Sequence, residues 1–323
     1  MTAHSHHSGG HGGPGRFVPH EAAKVTRMIT WASVLVALVL MVSKLSVYIQ
    51  SGSVSLLASF ADSGLDLVAS ITAFFAVRYA AEPADEEHRF GHGKAESFAS
   101  LFQALLVAIS AALVAREAVE RLLHPAPIHQ TNLALGVMVV SIVLTLGLVW
   151  LQGIALRRSG SLAVAGDQAH YKADLLANVS VIVGISLASF GGWPMADALI
   201  GLGIALWLVY TAWQVAKGGL DQMMDRELPQ VDRAQIRKTT MEVEGVYSIH
   251  ELRTRASGLY VHMQFHLDLD PDITLAAAHT IVVEVERRLL EIWPAADILI
   301  HPDPKGKAEP HGIGHFRREE NQT

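Results

Sequence analysis

The sequence predicts a membrane-embedded, all-α bundle of six transmembrane helices followed by a C-terminal cytoplasmic α+β domain with the element order αββαβ. Three observations predict it. Of 323 residues, 50% are hydrophobic and only 17% charged, whereas a soluble domain carries about a quarter charged residues. The apolar residues are concentrated between about 26 and 218. The last hundred or so positions instead show the patterns of ordinary soluble helices and strands.

Six apolar segments, approximately 26–50, 54–80, 96–122, 131–156, 168–190 and 195–217, are each long enough to cross a hydrocarbon core. Polar residues interrupt the second, third and fifth on one side, which marks buried faces. Arg16, Lys24 and Arg27 precede the first span, Arg89 and Lys94 lie between the second and third, and Arg157 and Arg158 follow the fourth. Short breaks such as "QSGS" and "FGGWPM" carry no Lys or Arg. Positive charge belongs on the cytoplasmic side, so both termini are expected there. Arg116 and Arg121 run against the pattern but stand beside Glu117 and Glu120. Residues 1–25, His- and Gly-rich and without a signal-peptide core, read as a flexible tail.

The expected cytoplasmic region spans 219–304. "LPQVDRAQIRKTTMEVEG" opens with Pro229, runs at helical spacing and stops at Gly245. "VYSIHELRTR" and "LYVHMQFHLDLD" read as strands around a Ser-Gly turn, "TLAAAHTIVVEVERRLLEIW" as a second helix and "ADILIHPDP" as a final strand. That order fits helices on one face of a three-stranded sheet. Residues 305–323 read as a polar tail.

The chemistry begins in "SFADSGLDLVAS". Asp62 and Asp66, four residues apart, share one helix face, and two unpaired carboxylates at bilayer depth repel each other and lose solvation. A buried salt bridge is the simplest alternative, but Lys44 is expected at a different depth. "HYKADLLANVS" in the fifth span offers His170 and Asp174 with the same spacing. Three carboxylates and one imidazole from two helices make a four-donor set suited to zinc. In the loop "DEEHRFGHGK", Asp85, His88 and His92 could hold a second ion, with Gly91 and Gly93 letting the backbone fold closely. The soluble part adds His250, His266, His279, His301 and Asp303 over three strands and a helix. Single histidines on such elements are usually exposed or satisfied in the core; five candidates are harder to dismiss.

"ASFADSGLDLVAS", "PADEEHRFGHGKAES" and "HYKADLLANVSVIVG" together resemble the cation diffusion facilitator family, in its bacterial YiiP-like zinc-transporting branch, over about 26–304. The resemblance implies a homodimer in the bacterial inner membrane that exports divalent metal ions against proton entry. It implies a transport site at Asp62, Asp66, His170 and Asp174, with a pattern like that of the zinc and cadmium carriers. It places a second site on Asp85, His88 and His92, and a binuclear regulatory zinc site on His250, His266, His279, His301 and Asp303, with Asp303 as bridge. Pro302 departs from the polar residue expected there. A salt bridge between Lys94 and Asp225 is implied as a hinge.

The sequence therefore reads as a transporter rather than an enzyme, exchanging cytoplasmic zinc, and also cadmium, for protons. Iron or manganese as substrate, or a membrane metal sensor without transport, are the alternatives. A membrane metalloprotease needs an open coordination position and a motif such as "HExxH", which is lacking. "GHGK" is not a phosphate loop, because Ala95 follows Lys94, so no nucleotide partner is expected. A net charge of -6 gives no reason to expect nucleic acid. Without Cys there is no disulfide framework and no thiolate metal site.

Overall fold

The computed structural model describes residues 13–51, 54–123, 132–191 and 196–307. The outer parts of both expected tails, 1–12 and 308–323, and the breaks at 52–53 and 192–195 lie outside the described residues. Six long helices come first: α1 Pro19–Ser51, α2 Val54–Ala80, α3 Ala95–Leu123, α4 Asn132–Ser159, α5 Leu162–Gly191 and α6 Ala196–Met223. Helix α1 begins at Pro19 rather than near 26. A proline in the first turn lacks only an N–H that would have no helical partner there.

Among the described residues, five of these helices, α1, α2, α3, α4 and α6, are long and apolar enough to cross a membrane. Helix α5, 30 residues long, carries Asp167, Lys172 and Asp174 in its first half and an apolar run in its second. Its polar face is turned inward: Asp167, Gln168 and His170 are buried. The bundle's outer surface is apolar, with Met28, Trp31, Leu35, Trp150, Leu206 and Trp213 exposed. In a bilayer those side chains meet lipid.

Small residues let the helices approach closely. Val107, Ala111, Ala173, Leu208 and Ala212 form one core between α3, α5 and α6. Ile29, Leu148, Ala155, Val164 and Tyr171 form another between α1, α4 and α5. Buried hydroxyls on α1 satisfy themselves within the helix: Thr26 Oγ1 donates to the Ala22 carbonyl at 3.1 Å and Thr30 Oγ1 to that of Thr26 at 2.9 Å. The start of α5 is anchored to α3. Ser161 Oγ donates to Glu96 Oε2 at 2.6 Å and accepts from the Val164 N–H at 3.3 Å, so it caps the helix that carries His170.

The chain divides into two units, one running to Arg226 and also taking in Ala256–Tyr260, the other formed by Glu227–Arg255 and the residues from Val261 on. Beyond Arg226 come α7 Gln230–Met241, β1 Ser248–Ser257, β2 Tyr260–Leu269, α8 Leu275–Ile292 and β3 Ala296–Pro304, with sheet order β1-β2-β3. Helix α7 ends before Gly245, which takes a left-handed φ of 92° in the turn that follows. Thr274 caps α8 by accepting from the Ala277 N–H at 3.2 Å.

Strand β2 alternates cleanly. Val261, Met263, Phe265, Leu267 and Leu269 are buried with Val285, Leu289 and Trp293 from α8 and the turn after it. His262, Gln264, His266 and Asp268 therefore occupy the other face. Strands β2 and β3 are parallel, with His266 opposite His301 and Asp268 opposite Asp303. Lys305, expected in the tail, stays on the sheet: its N–H donates to the Leu269 carbonyl at 2.8 Å and its ammonium lies 3.8 Å from the Tyr247 ring centroid.

Candidate metal centres

Asp66 of α2 meets His170 and Asp174 of α5 inside the bundle. His170 Nε2 lies 3.0 Å from Asp66 Oδ1 and 3.8 Å from Asp174 Oδ2. One donor atom from each of the three residues lies within 4.8 Å of the other two. Asp66 and His170 are buried, and Asp174 is partly so. His170 Nδ1 and Asp174 Oδ2 are buried without a hydrogen-bond partner. Leaving such a group unpaired costs about 1–3 kcal/mol. One imidazole and two carboxylates at this spacing suit a divalent ion.

Asp62 stands one turn before Asp66 and is exposed, outside this group of three, although Lys44 and His170 act on its charge. Lys44 is not at a different depth, as its position along the chain had suggested. It is buried and donates to Ser63 Oγ at 2.6 Å, beside Asp62. A lysine stem is long enough to carry the ammonium a full helical turn away from its own Cα. Lys172 instead donates to Gln168 Oε1 at 2.9 Å.

The loop residues also converge. Asp85 Oδ1 accepts from the N–H groups of Glu87 at 2.9 Å and His88 at 2.6 Å, a turn that folds the loop back on itself. His92 Nε2 lies 3.2 Å from Asp85 Oδ2, and His88 Nδ1 lies 3.4 Å from Asp85 Oδ1. The His88 N–H, helped by the Glu87 N–H and the two imidazoles, holds the Asp85 carboxyl below its ordinary value against the opposing effect of burial. Gly91 takes φ 75° between the two histidines. Tyr79 packs on His92 with ring centroids 4.5 Å apart.

On the open face of the sheet, Asp303 is shared by three imidazoles. Its Oδ2 lies 2.9 Å from His266 Nδ1 and 3.2 Å from His250 Nε2, and its Oδ1 lies 3.2 Å from His301 Nε2. Burial acts most strongly on the Asp303 carboxyl and would raise its pKa. The His266 hydrogen bond and the charges of His266, His301 and His250 together outweigh it and hold the carboxyl below its ordinary value. A cavity of about 270 Å³ opens beside the cluster, lined in part by Glu251, Arg253, Gln264, His266 and His301.

His279 does not join them: it is exposed on α8, which covers the opposite face of the sheet. Asp268, which the sequence reading passed over, has Oδ2 3.9 Å from His250 Nδ1. Its position two residues after His266 on the same strand face was the available signal. His262, also on that face, pairs with Asp297 at 3.0 Å instead.

Lys94 Nζ lies 2.8 Å from Asp225 Oδ1 and also donates to the Met223 carbonyl at 3.4 Å. Both side chains are more than a third exposed. Lys94→Ala is therefore expected to lower stability by no more than about 1 kcal/mol, which thermal unfolding of the purified protein checks.

The cation efflux transmembrane domain model matches residues 30–224, and the model for the cytoplasmic domain of cation efflux proteins matches 228–305. The cation-efflux pump FieF of Salmonella arizonae is 36% identical over 290 residues, covering 90% of this chain and 94% of the relative. FieF of Salmonella typhimurium gives the same figures of 36% identity, 90% and 94%. Among solved structures, the zinc form of CzrB is 31% identical, covering 27% of this chain and 99% of that one, with a TM-score of 0.25. The metal-bound C-terminal domain of CzcD from Thermotoga maritima is 20% identical, covering 25% of this chain and all of that one (100%), with a TM-score of 0.24. Two domain models spanning both parts of the chain and full-length relatives at this identity show that the chain belongs to the cation diffusion facilitator family of cation efflux transporters.

Proposed function

We propose that this chain exports zinc, and cadmium alongside it, from the cytoplasm of a bacterium in exchange for protons, as a homodimer in the inner membrane. The observation that carries the reading is the buried Asp66–His170–Asp174 group, with its unpartnered His170 Nδ1 and Asp174 Oδ2. Asp62 is one helical turn from Asp66 on the same face, so a side-chain rotation brings in a fourth donor. Zinc requires deprotonated donors, so metal and protons compete for one site and each expels the other. Helices that rock around such a site expose it to either side in turn.

The Asp85, His88 and His92 cluster supplies a second binding position in the loop between α2 and α3. The cytoplasmic cluster supplies a sensor. Asp303 presents one oxygen to His250 and His266 and the other to His301, which suits a carboxylate bridging two zinc ions. Metal held there biases the transporter by binding one arrangement of the dimer more tightly than another. The Lys94–Asp225 pair acts as a hinge contact at the end of α6.

Reconstituted vesicles offered zinc, cadmium, iron and manganese in parallel test the reading, which expects zinc and cadmium to be carried fastest. Flux of iron or manganese alone would overturn the substrate assignment. His170→Asp is expected to move the preference toward manganese, because oxygen donors suit that harder ion better than an imidazole does. Undiminished preference for zinc in that variant would place selectivity in the helix packing instead.

A further inference from the structure

Asp167 on α5 is 1% exposed, at the centre of a polar hub that none of the three metal clusters uses. It stands three residues before His170, close to one helical turn away. Gln152 Nε2 of α4 donates to its Oδ2 at 2.8 Å, while Ser70 Oγ of α2 and Gln103 Nε2 of α3 donate to its Oδ1 at 3.4 and 3.5 Å. The same Gln152 amide donates to Ser33 Oγ of α1 at 3.0 Å. Tyr171 donates to the Ser33 carbonyl at 3.2 Å, and its hydroxyl shares a 2.8 Å hydrogen bond with Ser70. Five helices thus meet on one carboxylate.

No Lys or Arg pairs with Asp167 among the described residues. The ionisable groups acting on the hub are His170, Tyr171 and Asp174 on α5 itself and Asp66 on α2. Helices α1, α3 and α4 meet it with the neutral Ser33, Gln103 and Gln152. A carboxylate with no Lys or Arg partner in a low-dielectric interior is a natural place for a proton.

The second observation lies in the amides. Gln103 Oε1 and Gln152 Oε1 are both buried without a hydrogen-bond partner. An amide can turn its NH2 group to an ionised carboxylate and its carbonyl to a protonated one. The two unpartnered oxygens are acceptors held ready for the O–H that a protonated Asp167 would present. Gly166 makes the room: a Cβ there would stand 2.3 Å from Gln103 Oε1.

We propose that Asp167 is a second proton-binding carboxylate of the transport cycle, ionised while metal occupies the Asp66–His170–Asp174 site and protonated once the metal has left. The inference rests on the proton-exchange reading above. A divalent ion one turn away disfavours a proton on Asp167, so metal binding expels it to solvent, and metal release lets one bind again. No bond other than O–H forms or breaks.

The test counts protons released when Zn2+ binds the full-length protein, by calorimetry in buffers of different ionisation heat across the neutral range. Asp167→Asn, of the same shape, is expected to bind zinc while releasing about one proton fewer than the natural chain. Gln152→Met keeps the carboxylate but removes its shortest donor; vesicle zinc flux in this variant should follow a pH profile displaced toward higher pH. A hub that only braces the helices would weaken zinc binding in both variants with proton count and pH profile unmoved, and that result overturns the proposal. If Asp167→Asn does not fold, the Gln152→Met profile decides alone. Proton release in the natural chain matched by Asp167→Asn removes Asp167 and leaves the exchange reading standing. No proton release in the natural chain removes both.

Discussion

Zinc flux in Asp66→Ala or Asp174→Ala is expected to fall by more than about 100-fold while the protein still inserts into the membrane. Removing residues that merely support a metal ligand already lowers affinity or activity about 10–100-fold, and these residues are donors themselves. His170 Nε2 sits 3.0 Å from Asp66 Oδ1 and 3.8 Å from Asp174 Oδ2, so each substitution removes a carboxylate that the imidazole faces. Breaking a buried pair on one side costs about 3–5 kcal/mol, so Asp66→Asn, which keeps the shape, separates lost chemistry from lost folding. Vesicle flux measured beside thermal unfolding reads both. Asp62→Ala belongs to the same class if Asp62 supplies the fourth donor. Full flux in that variant would mean a three-donor site, in keeping with the exposure of Asp62 in this structure.

The second large effect is expected at Asp303. Its carboxylate is the one group that His250, His266 and His301 all approach, so Asp303→Ala should lower zinc affinity at this cluster by more than about 100-fold. Transport itself should persist, without its activation by metal. Calorimetric titration of the full-length protein, with the transport site silenced by Asp66→Asn, measures the first. Flux against cytoplasmic zinc concentration measures the second. The pH dependence follows from the charges. Asp303 keeps its charge below the ordinary carboxylate range, and zinc requires the imidazoles in their neutral form, so acidification removes zinc by protonating them. Zinc affinity at this cluster should therefore fall with acidification before the Asp303 carboxylate takes up a proton. Loss confined to the carboxylate range would contradict the assignment.

Much of this was legible in the sequence because helical periodicity carries both fold and site. Asp66 followed Asp62, and Asp174 followed His170, at a spacing that fixes one face of a helix, and the structure brings Asp66, His170 and Asp174 together. The polarity of α5 was legible too, as a buried face. What the spacing could not give was which buried polar residues meet across helices. Lys44 reaches Ser63 through the length of its side chain. Asp167 stands in "GDQAHYKAD" with nothing nearby to mark it, and its surroundings come from Ser33, Ser70, Gln103 and Gln152 on four other helices. In the sheet, the sequence offered His266, His279 and His301 as candidates, but only the β2–β3 register sets His266 beside His301, and α8 covers the opposite face with His279 exposed on it.

The central claim is exchange of metal for protons at one buried site. It is tested most directly in sealed vesicles containing the purified full-length protein, with zinc and pH followed by separate internal dyes. The account predicts that a zinc gradient drives protons in the opposite direction, that an imposed pH gradient moves zinc, and that Asp66→Asn abolishes both together. Zinc movement with no accompanying proton movement, unaffected by the pH gradient, would make the protein a uniporter or channel and contradict the mechanism.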